Sequence, residues 1–428
     1  MRLNSVRCLL TAFLLASLLI TALGLAPSTT FGQEPGLSLV RSDSSDWSQW
    51  RGPRRDGVSD ETDLLTSWPE GGPEKLWTAS DIGSGYSSPI IADGTIYITG
   101  DKEEDLFVRA ISLSGELLWE TQNGESWTKS FPGARSSCTY DDGKLYHMNA
   151  HGRLVCLNAS DGAELWVVNV LERFEGENIM WGLSESLAIL GDLIYATPCG
   201  DKGLVVALDK STGDTVWATP ALEEDQASYA SPILVNSGEK TLLINCVTEF
   251  SFAVDAMTGE LLWRIPRVDP DNTVCSIPVL TDAGLAITNT SRGYGAVFGV
   301  ALDGSTAEQS WLQEITISHG STVCVDGQVY GYSSRGEARG WVAVDAASGD
   351  VRLMSELSGG SLIYTDNRFY CLTERGTMTL QELTDDGFNS VGEFQVGQGK
   401  DCWAHPVICD GKLYLRFGES LFCYDIRQ

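Results

Sequence analysis

Trp127, Trp181, Trp341 and Trp403 stand off the register of the repeated tryptophans, and three of them, Trp127, Trp181 and Trp403, offer flat faces on which a planar ligand can stack. Glu185, Asp271 and Asn272 carry the side-chain oxygens that a hard cation such as Ca²⁺ prefers. Arg135 is a fixed positive charge for a carboxylate or a partner surface. His319 and His405 occupy equivalent places in two copies of a repeat, where an imidazole serves as base, ligand or hydrogen-bonded wall. Each has a plainer competing role: solvated for the acids, packed against a neighbouring loop for the tryptophans, hydrogen-bonded for the histidines. Only His147 and His151 complete the set of four histidines, so a zinc centre built on histidine is not expected, and the metal content is left open. No G-x-S-x-G elbow, Walker loop or C-x-x-C pair occurs, so the motif-bearing hydrolases, nucleotide-binding folds, zinc ribbons and c-type haem proteins lack their signatures. No catalytic residue is therefore assigned.

These residues must be positioned by a repeat. Ala207-Leu-Asp209-Lys-Ser-Thr-Gly213-Asp-Thr-Val-Trp217 is its cleanest copy, and Ala253 through Asp255 and Gly259 to Trp263 matches it position for position. Trp77, Trp119, Trp166, Trp217, Trp263 and Trp311 follow one another at intervals of 42 to 51 residues. Upstream of most copies lies a second phrase, such as Asp93-Gly94 before Ile96-Tyr97 or Asp410-Gly411 before Leu413-Tyr414. Asp-Gly between short β-prone runs marks a tight hairpin. Each unit then reads as four strands, in the second unit 137–140, 144–149, 154–158 and 165–168. Four-stranded units of 40–50 residues are the signature of a β-propeller. The tryptophan is expected to wedge between neighbouring sheets and give its N–H to a backbone acceptor.

Eight units are counted, beginning near Ser88, Cys138, Ser186, Ser231, Ile277, Ser321, Ser361 and His405. The last has three strands only, and Lys75-Leu76-Trp77 looks like a fourth strand without its first three. The expected fold is all-β, an eight-bladed propeller (residues 73–428) whose last blade is closed by an N-terminal strand. The seventh unit lacks a clear Trp phrase, which keeps a seven-bladed count as the alternative. The loops leading into the first strands should form one rim of the central channel, and the residues named above fall in or beside those loops.

Residues 1–32 read as a secretory signal peptide, with Arg2 and Arg7 ahead of an apolar run from Leu9 to Ala26. An uncleaved anchor is the alternative. Residues 33–72 form an extension expected to pack on the propeller. Removing the leader takes the net charge from −29 to −31, which argues against a nucleic-acid partner. No second run is long enough to span a bilayer. The ten remaining cysteines are scattered through apolar strand patterns and are expected to be small core residues.

The Ala-x-Asp-x-x-x-Gly-x-x-x-Trp phrase resembles the repeat of the pyrroloquinoline quinone (PQQ) type of propeller, from about Trp47 to the C-terminus. Asp46-Trp47-Ser-Gln-Trp50-Arg51-Gly52-Pro53-Arg54-Arg55-Asp56-Gly57 is similar to the N-terminal box of exported PQQ-like repeat proteins of planctomycete type. The superfamily holds both BamB-type envelope scaffolds and quinoprotein alcohol dehydrogenases. The resemblance implies an exported protein of the periplasm or exterior. The reading adopted from it is a non-enzymatic scaffold with no cofactor, binding envelope proteins or a small or glycan ligand. The alternative it implies is a PQQ- and Ca²⁺-dependent alcohol or sugar dehydrogenase. The adjacent cysteine pair that many such enzymes carry is absent.

Overall fold

A computed structural model describes residues 36–42, 46–222, 225–267, 273–288, 295–301, 303–304, 306–317, 319–336, 338–399 and 401–428. The expected leader, and the site candidates Asp271 and Asn272, lie outside the described residues. From Pro35 onward the chain is one compact unit. Its strands form eight antiparallel sheets, each starting within two residues of the position expected from the repeat. In the second blade the strands are Thr139–Asp141, Lys144–Met148, Arg153–Asn158 and Glu164–Asn169. The eighth blade holds Val407–Cys409, Lys412–Phe417 and Ser420–Asp425, and Glu74–Ser80 completes it with Trp77 opposite Cys423. The two chain ends thus close the ring and leave no open seam between first and last blade. Ser38–Leu39 adds a short fifth strand to the fourth blade, with Ser38 opposite Asn236.

The repeat phrase works as a lock between blades. Trp77, Trp119, Trp166, Trp217 and Trp311 each lie on a glycine of the following blade: Gly115, Gly162, Gly213, Gly259 and Gly349. A Cβ on any of these glycines would sit 2.5–2.8 Å from the nearest ring atom, and all five have φ between +73° and +89°. Glycine is therefore required twice over, for backbone and for space. Four of these indoles also donate to a carbonyl of the next blade: Trp77 to Leu113, Trp119 to Ala159, Trp166 to Lys210 and Trp311 to Ala346, at 2.8–3.1 Å. The Asp of the phrase holds the turn, as Asp209 Oδ1 accepts from the N–H groups of Ser211 and Thr212. In the seventh blade, which lacks the phrase, Trp68 of the N-terminal extension packs on Tyr370 and Phe394, with ring centroids 5.9 and 5.2 Å apart.

The innermost strands are tied by a belt of serines. Ser137 Oγ accepts from Ser88 N–H, Ser186 Oγ from Ser137 N–H, and Ser231 Oγ from Ser186 N–H. All four serines are buried, so each hydroxyl satisfies an N–H that the curvature of the ring turns away from its own sheet. Of the ten described cysteines all are free; six are buried and Cys199, Cys275, Cys324 and Cys409 are partly exposed.

Candidate functional site

The N-terminal box supplies the floor of the site. Trp47 and Ser48 carbonyls accept from the Ile91 and Tyr140 N–H groups, fixing the segment beneath the first two blades. Gly52, at φ +86°, folds against the Trp47 ring and turns the chain inward. Two buried arginines then reach between the innermost strands. Arg55 donates to the carbonyls of Ser186, Leu187 and Pro232 at 2.6–2.9 Å. Arg51 donates to the carbonyls of Asp56 and Thr322 and faces His405 Nδ1 at 3.2 Å. Burial draws both guanidinium pKa values down to about 10, and the carbonyls around them take up the charge.

Above this floor lies a cavity of about 360 Å³, within the range of small-molecule sites. Trp50 of the box forms its base. The walls come from the loops leading into the first strands of six blades: Phe131 and Arg135, Trp181, Tyr229, Cys275, His319, and Trp403 with His405. Tyr86, from the loop before the first blade, and Arg335, from between the second and third strands of the sixth, complete it. The aromatic rings support one another. Trp403 stacks on His319 with centroids 4.1 Å apart and planes 18° apart, and meets Tyr86 at 4.6 Å and Phe131 at 5.3 Å. Trp181 contacts Tyr229 at 5.5 Å and Phe131 edge-on at 6.2 Å. Trp403 Nε1 is buried without a hydrogen-bond partner.

The two histidines of the site differ in charge. His405 is buried, accepts from Arg51 through Nδ1 and donates through Nε2 to the His319 carbonyl at 2.9 Å. Burial, with Arg51 adding to it, lowers its pKa to about 3, so it is a neutral structural wall. Burial also acts to lower that of His319, but Cys275 and Glu374 together outweigh it and raise the value to about 9. His319 Nδ1 lies 3.7 Å from Glu374 Oε1. The cavity thus gathers Arg135, Arg335 and a protonated His319 among aromatic rings, an environment for an anion with a flat body.

Of the residues singled out from sequence, Arg135, Trp181, His319, Trp403 and His405 line this cavity. Trp127 does not; it is buried behind Arg135, 5.3 Å from the guanidinium, and packs under Gly182. Glu185 is also turned away. It is 3% exposed, and both its oxygens accept from Thr197, Oε2 from N–H and Oε1 from the hydroxyl. Burial raises its pKa to about 7, against the opposing pull of Thr197 and Arg55. Its oxygens are thus committed to Thr197 rather than presented to a cation. Among the described residues no group of three His, Cys, Asp or Glu side chains is placed to hold a metal. Sequence reasoning missed Trp50, Tyr86, Phe131, Tyr229, Cys275 and Arg335. Trp50 sat in a box legible only as a family mark, and Arg335 enters from a loop that no first strand follows.

Comparison with known proteins places this architecture. The family described as outer membrane protein assembly factor BamB matches residues 104–352, more than half of the chain. Over 178 residues the chain is 27% identical to the dehydrogenase subunit of the quinone alcohol dehydrogenase of Gluconacetobacter polyoxogenes, covering 36% of this chain and 22% of that protein. The Komagataeibacter europaeus subunit is 26% identical over the same length. The matched region is thus about a fifth of the length of these curated relatives. Among solved structures, BamB from Moraxella catarrhalis superimposes with a TM-score of 0.59 at 16% identity, covering 83% of this chain and 98% of that one. A europium-containing methanol dehydrogenase gives 0.66 at 13% identity, covering 87% and 89%. The quinohemoprotein alcohol dehydrogenase of Comamonas testosteroni gives 0.62 at 13%, covering 89% and 80%. At these identities the structural likeness is one of fold.

Proposed function

This chain belongs to the PQQ-like propeller family described by outer membrane protein assembly factor BamB, and from that premise we propose that it is an extracytoplasmic binding propeller whose channel-mouth cavity takes a planar, anionic small molecule. The observation that carries this reading is the aromatic cup itself: Trp50, Trp181 and Trp403 around about 360 Å³, with Arg135, Arg335 and His319 among them. Flat faces bind the ring system, and the cations select carboxylates. Among the described residues no helix is long and apolar enough to cross a membrane.

PQQ, a flat tricarboxylate, is the ligand of this class that the quinone alcohol dehydrogenase relatives suggest. The tryptophans and arginines fit its rings and carboxylates, and Trp403 Nε1 is a spare donor. Among the described residues no three His, Cys, Asp or Glu side chains gather beside it. The dehydrogenase reading is favoured by those same relatives, and when bound PQQ would supply a two-electron acceptor; the part of this chain's residues is to hold and orient it.

One experiment separates the readings. The purified protein is titrated with PQQ with and without Ca²⁺ by tryptophan fluorescence, and dye-linked oxidation of alcohols and sugars is followed in parallel. Saturable quenching without turnover supports a binding propeller. Quenching with turnover makes the protein a dehydrogenase. No quenching in either condition removes PQQ as the ligand.

A further inference from the structure

Phe131 stands at the boundary between the channel-mouth cavity and solvent: it lines the cavity, yet it is 44% exposed. We infer that Phe131 is the gate of this cavity, latched by Arg135, and that a ligand carboxylate opens it by competing for the arginine's donors. The inference rests on the reading of the cavity as a site for flat anions, and it adds the route by which such a ligand enters.

Three observations carry it. The first is the form of the loop. Residues 128–132 are exposed in a row between buried Trp127 and buried Gly133. The Gly133 N–H donates to the Trp127 carbonyl at 3.1 Å and closes the neck of this flap. On one side of the neck, the Trp127 N–H is bound by Asp101 Oδ2 at 3.0 Å. On the other, Ala134 donates to the Ser84 carbonyl and accepts from the Tyr86 N–H, at 3.2 and 2.6 Å. A Cβ on Gly133 would lie 2.7 Å from Gly85 Cα, so the backbones touch there. With both ends fixed, motion is confined to the flap, whose tip is Phe131 and Pro132. The second observation is strain at that tip. Phe131 has φ +54°, in the left-handed region that is costly for a bulky side chain. Pro132 follows it, and a residue ahead of proline favours extended backbone. The tip therefore has a less strained arrangement to go to when its restraint is lost.

The third observation is that the restraint is itself a group of the site. Arg135 Nη2 donates to the Phe131 carbonyl at 2.6 Å, and Nη1 to the Gly133 carbonyl at 3.3 Å. Arg135 also lines the cavity. A carboxylate is a stronger acceptor for a guanidinium than a peptide carbonyl is. One seated on Arg135 draws the donors away and loosens the bond that keeps Phe131 in its strained form. The Phe131 ring bridges Trp181 and Trp403, with centroids 6.2 and 5.3 Å away, so its departure widens the mouth between them. A neutral ligand of the same shape brings no such competitor. The gate thus selects for charge at entry as well as in the bound state.

The test follows binding to the purified protein by stopped-flow tryptophan quenching, with anthraquinone-2-carboxylate and its neutral carboxamide as probes. Phe131→Gly should raise the association and dissociation rates together, about threefold to tenfold, and leave their ratio nearly unchanged. The carboxylate should enter the parent faster than the carboxamide, and Phe131→Gly should shrink that preference. A change in dissociation alone makes Phe131 an ordinary wall contact and overturns the gate, as do unchanged rates. Equal entry of the two probes into the parent overturns the latch. A ligand-free arm keeps this inference separate from the reading of the cavity. Trypsin cleavage after Lys129, inside the flap, should be about fivefold faster in Arg135→Gln and in Phe131→Gly than in the parent, read by peptide mapping. Melting temperatures check that both variants are folded, and either one suffices for this arm. If neither probe binds, the flat-anion reading fails and cleavage decides the gate: faster cleavage supports it, and equal cleavage overturns it.

Discussion

The backbone N–H of His405 donates to the Ser88 hydroxyl at 2.8 Å, across 317 residues of chain. This contact carries the serine belt over the seam where the eighth blade meets the first. Both residues are buried, so the bond is made in a region where an unpaired N–H finds no water. Ser88→Ala removes the acceptor and leaves that N–H unsatisfied. The expected loss is about 1–3 kcal/mol of stability, seen as a lower thermal midpoint. An unchanged midpoint would mean that the Velcro strand Glu74–Ser80 closes the ring unaided.

The Trp–Gly lock predicts a contrast between two glycines. At Gly259 φ is +75° and a Cβ would lie 2.5 Å from Trp217 Cε3, whereas at Gly238 φ is +60° with nothing within 4 Å. Gly259→Ala should cost about 2–4 kcal/mol, since strain and overpacking add, and Gly238→Ala about 1–2 kcal/mol from the backbone alone. Chemical denaturation of the two variants checks the order, and equal costs would remove the steric part of the lock.

Glu185 predicts a pH dependence with a definite sign. Its folded pKa of about 7 lies above the ordinary 4.5. Between those values the folded state binds more protons than the unfolded one, so this group's contribution is full below pH 4.5 and is lost as pH rises through 7. Glu185→Gln should flatten that fall and be more stable than the parent at pH 8 by about 1–3 kcal/mol. Melting curves from pH 4 to 8 decide it; a variant that loses stability at every pH would show that the Thr197 hydrogen bonds dominate instead.

His405 acts in the opposite direction. Its folded pKa is lowered to about 3 from the ordinary 6.5. The stability it gives is present above pH 6.5 and is lost as pH falls toward 3, because the unfolded chain then takes up a proton that the buried ring refuses. His405→Asn should weaken this acid-side fall, measured by the same melts between pH 6.5 and 3.5.

Trp50 predicts how far the floor of the cavity matters for binding. Trp50→Ala should weaken PQQ binding about threefold to tenfold, the worth of one aromatic contact. Trp119→Phe, an alteration in the inter-blade lock away from the cavity, should leave it unchanged. Equal affinities for the parent and Trp50→Ala would place the ligand above the floor.

The spacing of the Asp, Gly and Trp residues was enough to count the blades, place their strands and see that Lys75-Leu76-Trp77 had to complete the last one. The reason is physical: each phrase encodes a local turn, an i to i+4 closure from Asp209 to Gly213 or Asp255 to Gly259, and a wedge for a neighbour of the same kind. Local chemistry repeated eight times leaves little choice of architecture. The loops that would gather at the channel mouth were legible for the same reason, and Arg135, Trp181, His319, Trp403 and His405 were named from them.

What each loop residue would do was decided only by the tertiary structure. Glu185 reads as an exposed acid until Thr197, itself bonded by Asn245, takes both its oxygens in a buried place near Arg55. Trp127 reads as a ligand platform until Arg135 and Gly182 cover its faces. Cys275 reads as one more core thiol until loops from other blades bring it to the wall of the cavity. Side-chain direction at a loop depends on what arrives from distant parts of the chain, and nothing in the periodicity carries that information. The sequence by itself therefore determined the ring. Only the closing of that ring, with Trp50, Arg51 and Arg55 filling its base, decided that the mouth is an aromatic, cationic cup.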